Sequence, residues 1–332
     1  MSGARGPDPF EDTFIAMAGA RALIAATRLG VFDALADEAA DAPAVADRLG
    51  LERTGVEAML TTLASQGYLE SDPGGLHRPS ASARRHLVSS SPESIASFVG
   101  GYSASAWDML AGLEDLLAGR AEPARHDHPA GDPYWETYIR GLFELSRDEH
   151  DANAAAVPAE DPRRLLDLAG GHGGFAMAMC RRHPRLDATV LDLPGSVRVG
   201  RRIVAEHGLA DRVGFREGDV LEADLGAGLD VCSAFNLLHH LPAQAVQALL
   251  RRVRPALGAG GWLVIGDTER TEPGEAPSRN GALSALVYYV SSGTRNYTHR
   301  EVAGWLADAG FSHVRVLRNQ RSPWRLLYLA RA

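Results

Sequence analysis

The residues of this chain that could do chemistry are carboxylates and imidazoles placed at the ends of short apolar runs. Arg164-Leu-Leu-Asp-Leu168 stops abruptly in Ala169-Gly-Gly-His-Gly-Gly174 and then turns helical. Glycines at such a junction let backbone approach a ligand more closely than any Cβ permits, so Gly170, Gly171 and Gly173 are expected at a cofactor. Asp167 stands just before this loop. Asp192 closes the next run, Ala188-Thr-Val-Leu-Asp-Leu-Pro194, and Asp219 follows a third, Val213-Gly-Phe-Arg-Glu-Gly-Asp-Val220. The interval from Asp167 to Asp192 is close to the roughly 20 residues that bring a carboxylate onto ribose hydroxyls. A dinucleotide normally requires G-x-G-x-x-G, with a helix N-terminus facing its pyrophosphate. Asp167 would repel a phosphate but could pair with an ammonium. S-adenosylmethionine (SAM) carries an ammonium, a sulfonium and no phosphate, and Asp219 could accept a hydrogen bond from an adenine amino group. The expected cofactor set is therefore Asp167, Gly170, Gly171, Gly173, Asp192, Leu193, Gly218, Asp219, Val220 and Asn236. S-adenosylhomocysteine (SAH) is the corresponding product.

Phe235-Asn-Leu-Leu-His-His-Leu-Pro242 follows a fourth apolar run and precedes a helix beginning near Pro242. Ligands of open α/β sheets bind beyond the carboxyl ends of the strands, which puts an imidazole at the mouth of the site. Imidazole titrates near neutrality and suits removal of a phenolic proton. His239 is the expected base, with its neighbour His240 as the other choice.

These groups need a scaffold. After about Pro162 the chain alternates strand-like runs with helices: Leu165–Leu168, Ala188–Leu193, Val213–Arg216, Val231–Asn236 and Gly261–Gly266. The fold class is α/β, a Rossmann-like doubly wound parallel sheet. The N-terminal part is alanine-rich, with helical spacing from Thr13 to Leu35, over 42–50 and over 54–67, and a hairpin within Tyr68–Arg78 turning at Pro73-Gly74-Gly75. Such a mainly α-helical winged-helix unit could bind DNA, but Thr54–Gln66 holds Glu57 and no arginine to meet phosphates. No nucleic-acid partner is expected. The stripe Phe14–Ile24 serves either as core or as a subunit interface. The expected organisation is a winged-helix domain over 1–100, a helical linker over 101–160 and a cofactor domain over 161–332.

Composition narrows the class further. The chain has 332 residues, 45% of them hydrophobic, which suffices for two cores. No run approaches the roughly 18 apolar residues of a membrane span, and the acidic segment 8–12 does not resemble a signal peptide. No membrane partner and a cytoplasmic location are expected. Cys180 and Cys232 lack a close thiol partner, so neither a disulfide framework nor a zinc knuckle is expected. His126-Asp-His128 lies in a polar loop without a third ligand, so its imidazoles are expected in solvent and no metal is assigned. Every one of the 34 basic residues is arginine and the net charge is −8, which gives no polyanion-binding signal.

Taken together, Asp167-Leu-Ala-Gly-Gly-His-Gly173, Asp192-Leu-Pro194, Gly218-Asp219, Leu238-His239 and the ending Tyr297-Thr-His-Arg-Glu-Val-Ala-Gly-Trp-Leu-Ala-Asp-Ala-Gly-Phe311 carry a family resemblance. The chain resembles, over nearly its whole length, the SAM-dependent O-methyltransferases typified by plant caffeate and flavonoid enzymes and bacterial polyketide-tailoring enzymes. The resemblance implies an N-terminal module that forms a homodimer, a histidine base at His239, and two flanking residues, Asp267 and Asn296. Asn296 replaces an acid, so it can accept a ring N–H but brings no charge. His240 stands where an aspartate is usual, and Phe235 where plant members carry a cofactor-contacting lysine. The acceptor, a small aromatic or polyketide-like molecule, is expected against Tyr102, Trp107, Tyr138, Phe143, His240 and Tyr289, with only two or three of the aromatic rings touching it. Some bacterial relatives keep SAM but perform hydroxylation, decarboxylation or pericyclic chemistry, which is the alternative reaction class.

Overall fold

The computed structural model describes residues 9–123, 126, 128–276, 278–319 and 322–332. It divides into two units, residues 1–107 and 108–332.

The first unit holds α1 (Pro9–Arg28), α2 (Val31–Ala34), α3 (Ala42–Leu49), α4 (Arg53–Ser65), β1 (Leu69–Ser71), β2 (His77–Pro79) and α5 (Ala81–Leu87). The helical run expected from Thr13 to Leu35 is interrupted at Gly30, whose φ of 76° ends one helix before the next begins. The Asp41 side chain accepts the Ala44 N–H at 2.9 Å, capping α3, and the helix stops at the left-handed Gly50. β1 and β2 form the expected antiparallel hairpin, closed by Asp72 Oδ1, which accepts the N–H groups of Gly74 and Leu76 at 2.9 Å each. Val31, Phe32, Leu35, Leu60, Leu63 and Leu69 pack together as its core.

A π-helical turn over Phe98–Tyr102 leads into α6 (Ser103–Leu110), which runs past the unit boundary. The second unit then continues through α7 (Leu113–Leu117), α8 (Tyr134–Ala156), β3 (Arg164–Leu168), α9 (Gly174–Arg182), β4 (Asp187–Asp192), α10 (Pro194–Glu206) and β5 (Val213–Glu217). It closes with β6 (Leu229–Phe235), α11 (Ala243–Ala256), β7 (Leu257–Thr268), α12 (Arg279–Ser292), α13 (His299–Asp308), β8 (Ser312–Arg318) and β9 (Arg325–Arg331). The sheet order is β5-β4-β3-β6-β7-β9-β8, and β3 pairs in parallel with both β4 and β6. Chain order thus reverses at β3, which opens a crevice beyond its carboxyl end. The sheet is mixed, because β9 pairs antiparallel with both β7 and β8. Sequence reading gave only the five parallel strands. Apolar runs such as Leu165-Leu166 and Val231-Cys232 are buried, and one hydrophobic cluster covers each face of the sheet.

Candidate active site

The crevice is a cavity of about 260 Å³ that lies wholly within the second unit. Nine of the ten expected cofactor residues line it. Asp167, Gly170 and Gly171 come from the end of β3, Asp192 and Leu193 from β4, Gly218, Asp219 and Val220 from the β5 side, and Asn236 from the end of β6. Gly173 stands off this wall; at φ 70° it forms the entry to α9, against Val204 and Phe215.

Each acid is positioned by backbone or by a neighbouring strand. Asp167 pairs in register with Ser233, whose hydroxyl donates to Asp167 Oδ1 at 2.6 Å. A Cβ at Gly170 would lie 2.4 Å from Asp167 Oδ2, so only glycine lets the chain turn over this carboxylate. Burial pushes the Asp167 carboxyl from its ordinary 3.8 up to about 7, because the Ser233 hydrogen bond does not replace lost water. Asp192 accepts the N–H of Gly171 at 2.7 Å and of Leu193 at 2.6 Å, and burial raises its pKa too. Asp219 is exposed and accepts the Leu221 N–H at 2.8 Å. A buried carboxylate short of partners favours a cation beside it, and one tied to two loop amides is held rigidly for a hydroxyl donor. This donor set fits a cationic nucleoside and disfavours a diphosphate.

Among the described residues, the rest of the wall carries four imidazoles, each held toward the neutral form by burial. His172, inside the glycine loop, accepts the Gly174 N–H through Nδ1 at 3.0 Å and lies 3.4 Å through Nε2 from Ser146 Oγ. His150 Nε2 meets the same hydroxyl at 3.2 Å, while that hydroxyl donates to the Leu142 carbonyl at 2.6 Å. With its Nδ1 accepting from Gly174, neutral His172 turns its Nε2–H toward Ser146, whose own proton goes to the Leu142 carbonyl. Burial lowers His172 to about 4 and His150 well below the ordinary imidazole range.

His126 corrects the reading of its loop as solvated. Its ring lines the cavity, hydrogen-bonded to Tyr134 at 2.8 Å and edge-on to His240 at 4.6 Å, and burial lowers its pKa to about 4. Asp127, between the two histidines, lies outside the described residues, as does Asp8 of the acidic start. Sequence reading also passed over Ser146, Glu149, His150 and Asn153 on the cavity face of α8, and Arg325 on β9. Their helical spacing with Tyr138 and Leu142 was a signal, but a polar helix face usually meets solvent.

Beside the cavity, His239 and Asp267 form a buried pair. His239 Nδ1 lies 2.6 Å from Asp267 Oδ1, and Asp267 also accepts the N–H groups of Leu238 at 3.0 Å and Thr268 at 2.7 Å. The short 3₁₀ turn at Leu238–His240 is thereby fixed to the end of β7. In the tautomer whose Nδ1–H donates to this carboxylate, the lone pair of the ring is on Nε2. Tyr288 stacks on its ring at 3.6 Å. His240, unlike His239, lines the cavity; it contacts Ser292 Oγ through Nδ1, and burial lowers its pKa well below the ordinary range. Asn296 is buried and donates to the Glu269 carbonyl at 3.1 Å, and its Oδ1 has no hydrogen-bond partner among the described residues.

Among the expected acceptor residues, Tyr138 and His240 line the cavity. Phe143 and Tyr289 do not; Phe143 packs against His172 and His207, and the Tyr289 hydroxyl donates to the Leu116 carbonyl at 3.4 Å. Tyr102 and Trp107 belong to the first unit, where Tyr102 stacks on Phe98.

A strand-edge crevice with carboxylates for a cationic nucleoside defines a SAM-binding α/β enzyme. Comparison with known proteins specifies it further. Residues 129–312 match the O-methyltransferase domain and residues 13–89 the O-methyltransferase dimerisation domain. The chain is 32% identical to the 3-hydroxy-5-methyl-1-naphthoate 3-O-methyltransferase of Streptomyces sahachiroi, across 89% of this chain and 87% of that one. It is 30% identical to the tetracenomycin polyketide synthesis 8-O-methyl transferase of Streptomyces glaucescens, across 94% and 93%. Its fold is also that of human N-acetylserotonin methyltransferase solved in complex with SAM, with a TM-score of 0.83, 21% identity and coverage of 100% and 99%. The chain therefore belongs to the O-methyltransferase family and is a SAM-dependent methyltransferase.

The tight turn over Asp167 supplies a test. Gly170→Ala should weaken SAH binding by about tenfold or more and cost about 1–3 kcal/mol of stability through overpacking. Titration calorimetry and thermal melting would measure both, and an unaltered affinity would show that the close approach is unimportant.

Proposed function

We propose that this enzyme methylates a hydroxyl of an aromatic or polyketide-type small molecule, with His239 as general base. The observation that carries this reading is the buried His239–Asp267 pair at 2.6 Å, set beside a cavity with carboxylates on its walls. The two Streptomyces relatives, named for a naphthoate and a tetracenomycin polyketide, support the acceptor class. Asp192 and Asp219 would hold the ribose and adenine, and Asp167 with the Gly170 loop the ammonium. When bound there, SAM supplies an electrophilic methyl group activated by its sulfonium.

The chain's own residues then have two tasks. The first is positioning, because holding reactants in attack geometry can lower a barrier by roughly 7–11 kcal/mol. Aromatic side chains of α8 such as Tyr138 and Trp135 wall the cavity and limit the poses a planar acceptor can take. The second is proton removal: His239 Nε2 takes the hydroxyl proton, and Asp267 holds the tautomer and stabilises the imidazolium. Such a base contributes about 10²–10⁴-fold.

A second reading places the proton on His240, because His240 rather than His239 faces the cavity. Its depressed basicity and its hydrogen bond to Ser292 make it the weaker acceptor. Incubation with SAM and a panel of phenols, following SAH release, tests the reaction and the base together. His239→Ala should lower turnover by about 10²–10⁴-fold while SAH affinity stays nearly unchanged, and His240→Ala should do much less. The reverse ranking would move the base to His240. SAH binding without SAH production from any acceptor would favour the non-methylating chemistry.

The dimerisation domain and the outer face of α1 support a homodimer through the first unit. Phe10, Phe14, Ile15 and Met17 are exposed there, whereas Ile24 of the same helix is buried. Light scattering should give twice the chain mass, and a Phe14→Glu variant should shift it toward the monomer. A monomeric wild-type protein would refute the interface.

A further inference from the structure

The cavity has two chemically distinct ends. Asp192 and Asp219 mark the β4–β5 end, and Asp167 with Asn236 the β3–β6 end. Among the described residues lining it, Arg325 is the one permanently charged cation, since the histidines His126, His150, His172 and His240 are all held toward the neutral form by burial. Arg325 opens β9, opposite Thr268 at the end of β7, so it projects from the same strand edge as the other site residues. Its guanidinium donates to Asn236 Oδ1 at 3.1 Å and meets Glu149 of α8 at 3.0 Å. Asn236 itself is held at φ 53°, a conformation that costs energy in a residue with a Cβ, and it lies one strand spacing from the Ala169-Gly170 turn. Phe235 brings no charge to this end; its ring packs on Phe175 at 4.5 Å.

We propose that Arg325, oriented by Asn236 and Glu149, receives the carboxylate at the amino-acid end of the cofactor. This rests on the SAM reading above. An α-amino acid tail needs an anion for its ammonium and a cation for its carboxylate, and the β3–β6 end provides Asp167 and Arg325. The guanidinium has five N–H donors in a planar fork, so two existing partners leave donors for a third planar anion.

SAH and 5′-methylthioadenosine separate this role from a structural one, because the second ligand keeps the thioether nucleoside and lacks the amino-acid end. Arg325→Met should weaken SAH binding by about 10- to 100-fold, the loss of a charged hydrogen bond, and leave methylthioadenosine binding unchanged in calorimetry. Arg325→Lys should lie between wild type and Arg325→Met. The double variant Arg325→Met/Glu149→Gln, which leaves no unpaired carboxylate, should show the same selective loss. Unchanged SAH affinity in Arg325→Met, or equal loss for both ligands in the double variant, would overturn the assignment of Arg325 alone. Failure of the unmodified chain to bind SAH would overturn the cofactor reading with it.

Discussion

The site is organised around a carboxylate buried at the end of a central strand. Asp167 is 1% exposed, has Ser233 as its side-chain hydrogen-bond donor and lies under a glycine turn that leaves no room for a methyl group. Its raised pKa records the cost of that burial. Between the ordinary 3.8 and about 7 the folded free protein holds a proton that the unfolded chain has released, so stability falls as pH rises through this window. A cation beside Asp167 reverses the effect by favouring the ionised form. The glycine loop, the reversal of chain order at β3 and the register with Ser233 all serve to keep one acid dry and reachable.

A second buried acid does comparable work for His239, the proposed base. Asp267 ends β7, gathers N–H groups of the 3₁₀ turn and fixes the ring of His239. The two acids act in opposite senses. Among the described residues Asp167 has no cationic partner, whereas Asp267 is already paired with an imidazole. His126, His150, His172 and His240, held toward the neutral form by burial, complete the electrostatic division, because protonating any of them would place a positive charge in a cavity suited to receiving one.

The parallel strands and their terminal acids were legible in the sequence because an apolar run followed by glycine, and an acid at the next strand end, are local patterns. Asp267 and Asn296 came instead from resemblance, since neither has a neighbour in sequence that reveals its role. Other features depend on tertiary placement. Arg325 lies beyond the last motif and reaches the crevice only because β9 inserts antiparallel beside β7. His126 reads as a loop residue until Tyr134 and Tyr138 of α8 close on it. The polar face of α8 follows the same logic: its helical spacing does not by itself separate a cavity wall from a solvated face, and the fold turns it toward the cavity. Phe143 shows the converse, an aromatic whose helical position reads as pocket wall and whose ring is core.

Proton exchange on cofactor binding tests the buried-acid account most directly. SAH titrated calorimetrically near pH 6 in buffers of different ionisation enthalpy should release close to one proton per site, with the release vanishing near pH 9 and in an Asp167→Asn variant. Uptake of a proton, or no exchange at pH 6, would contradict it.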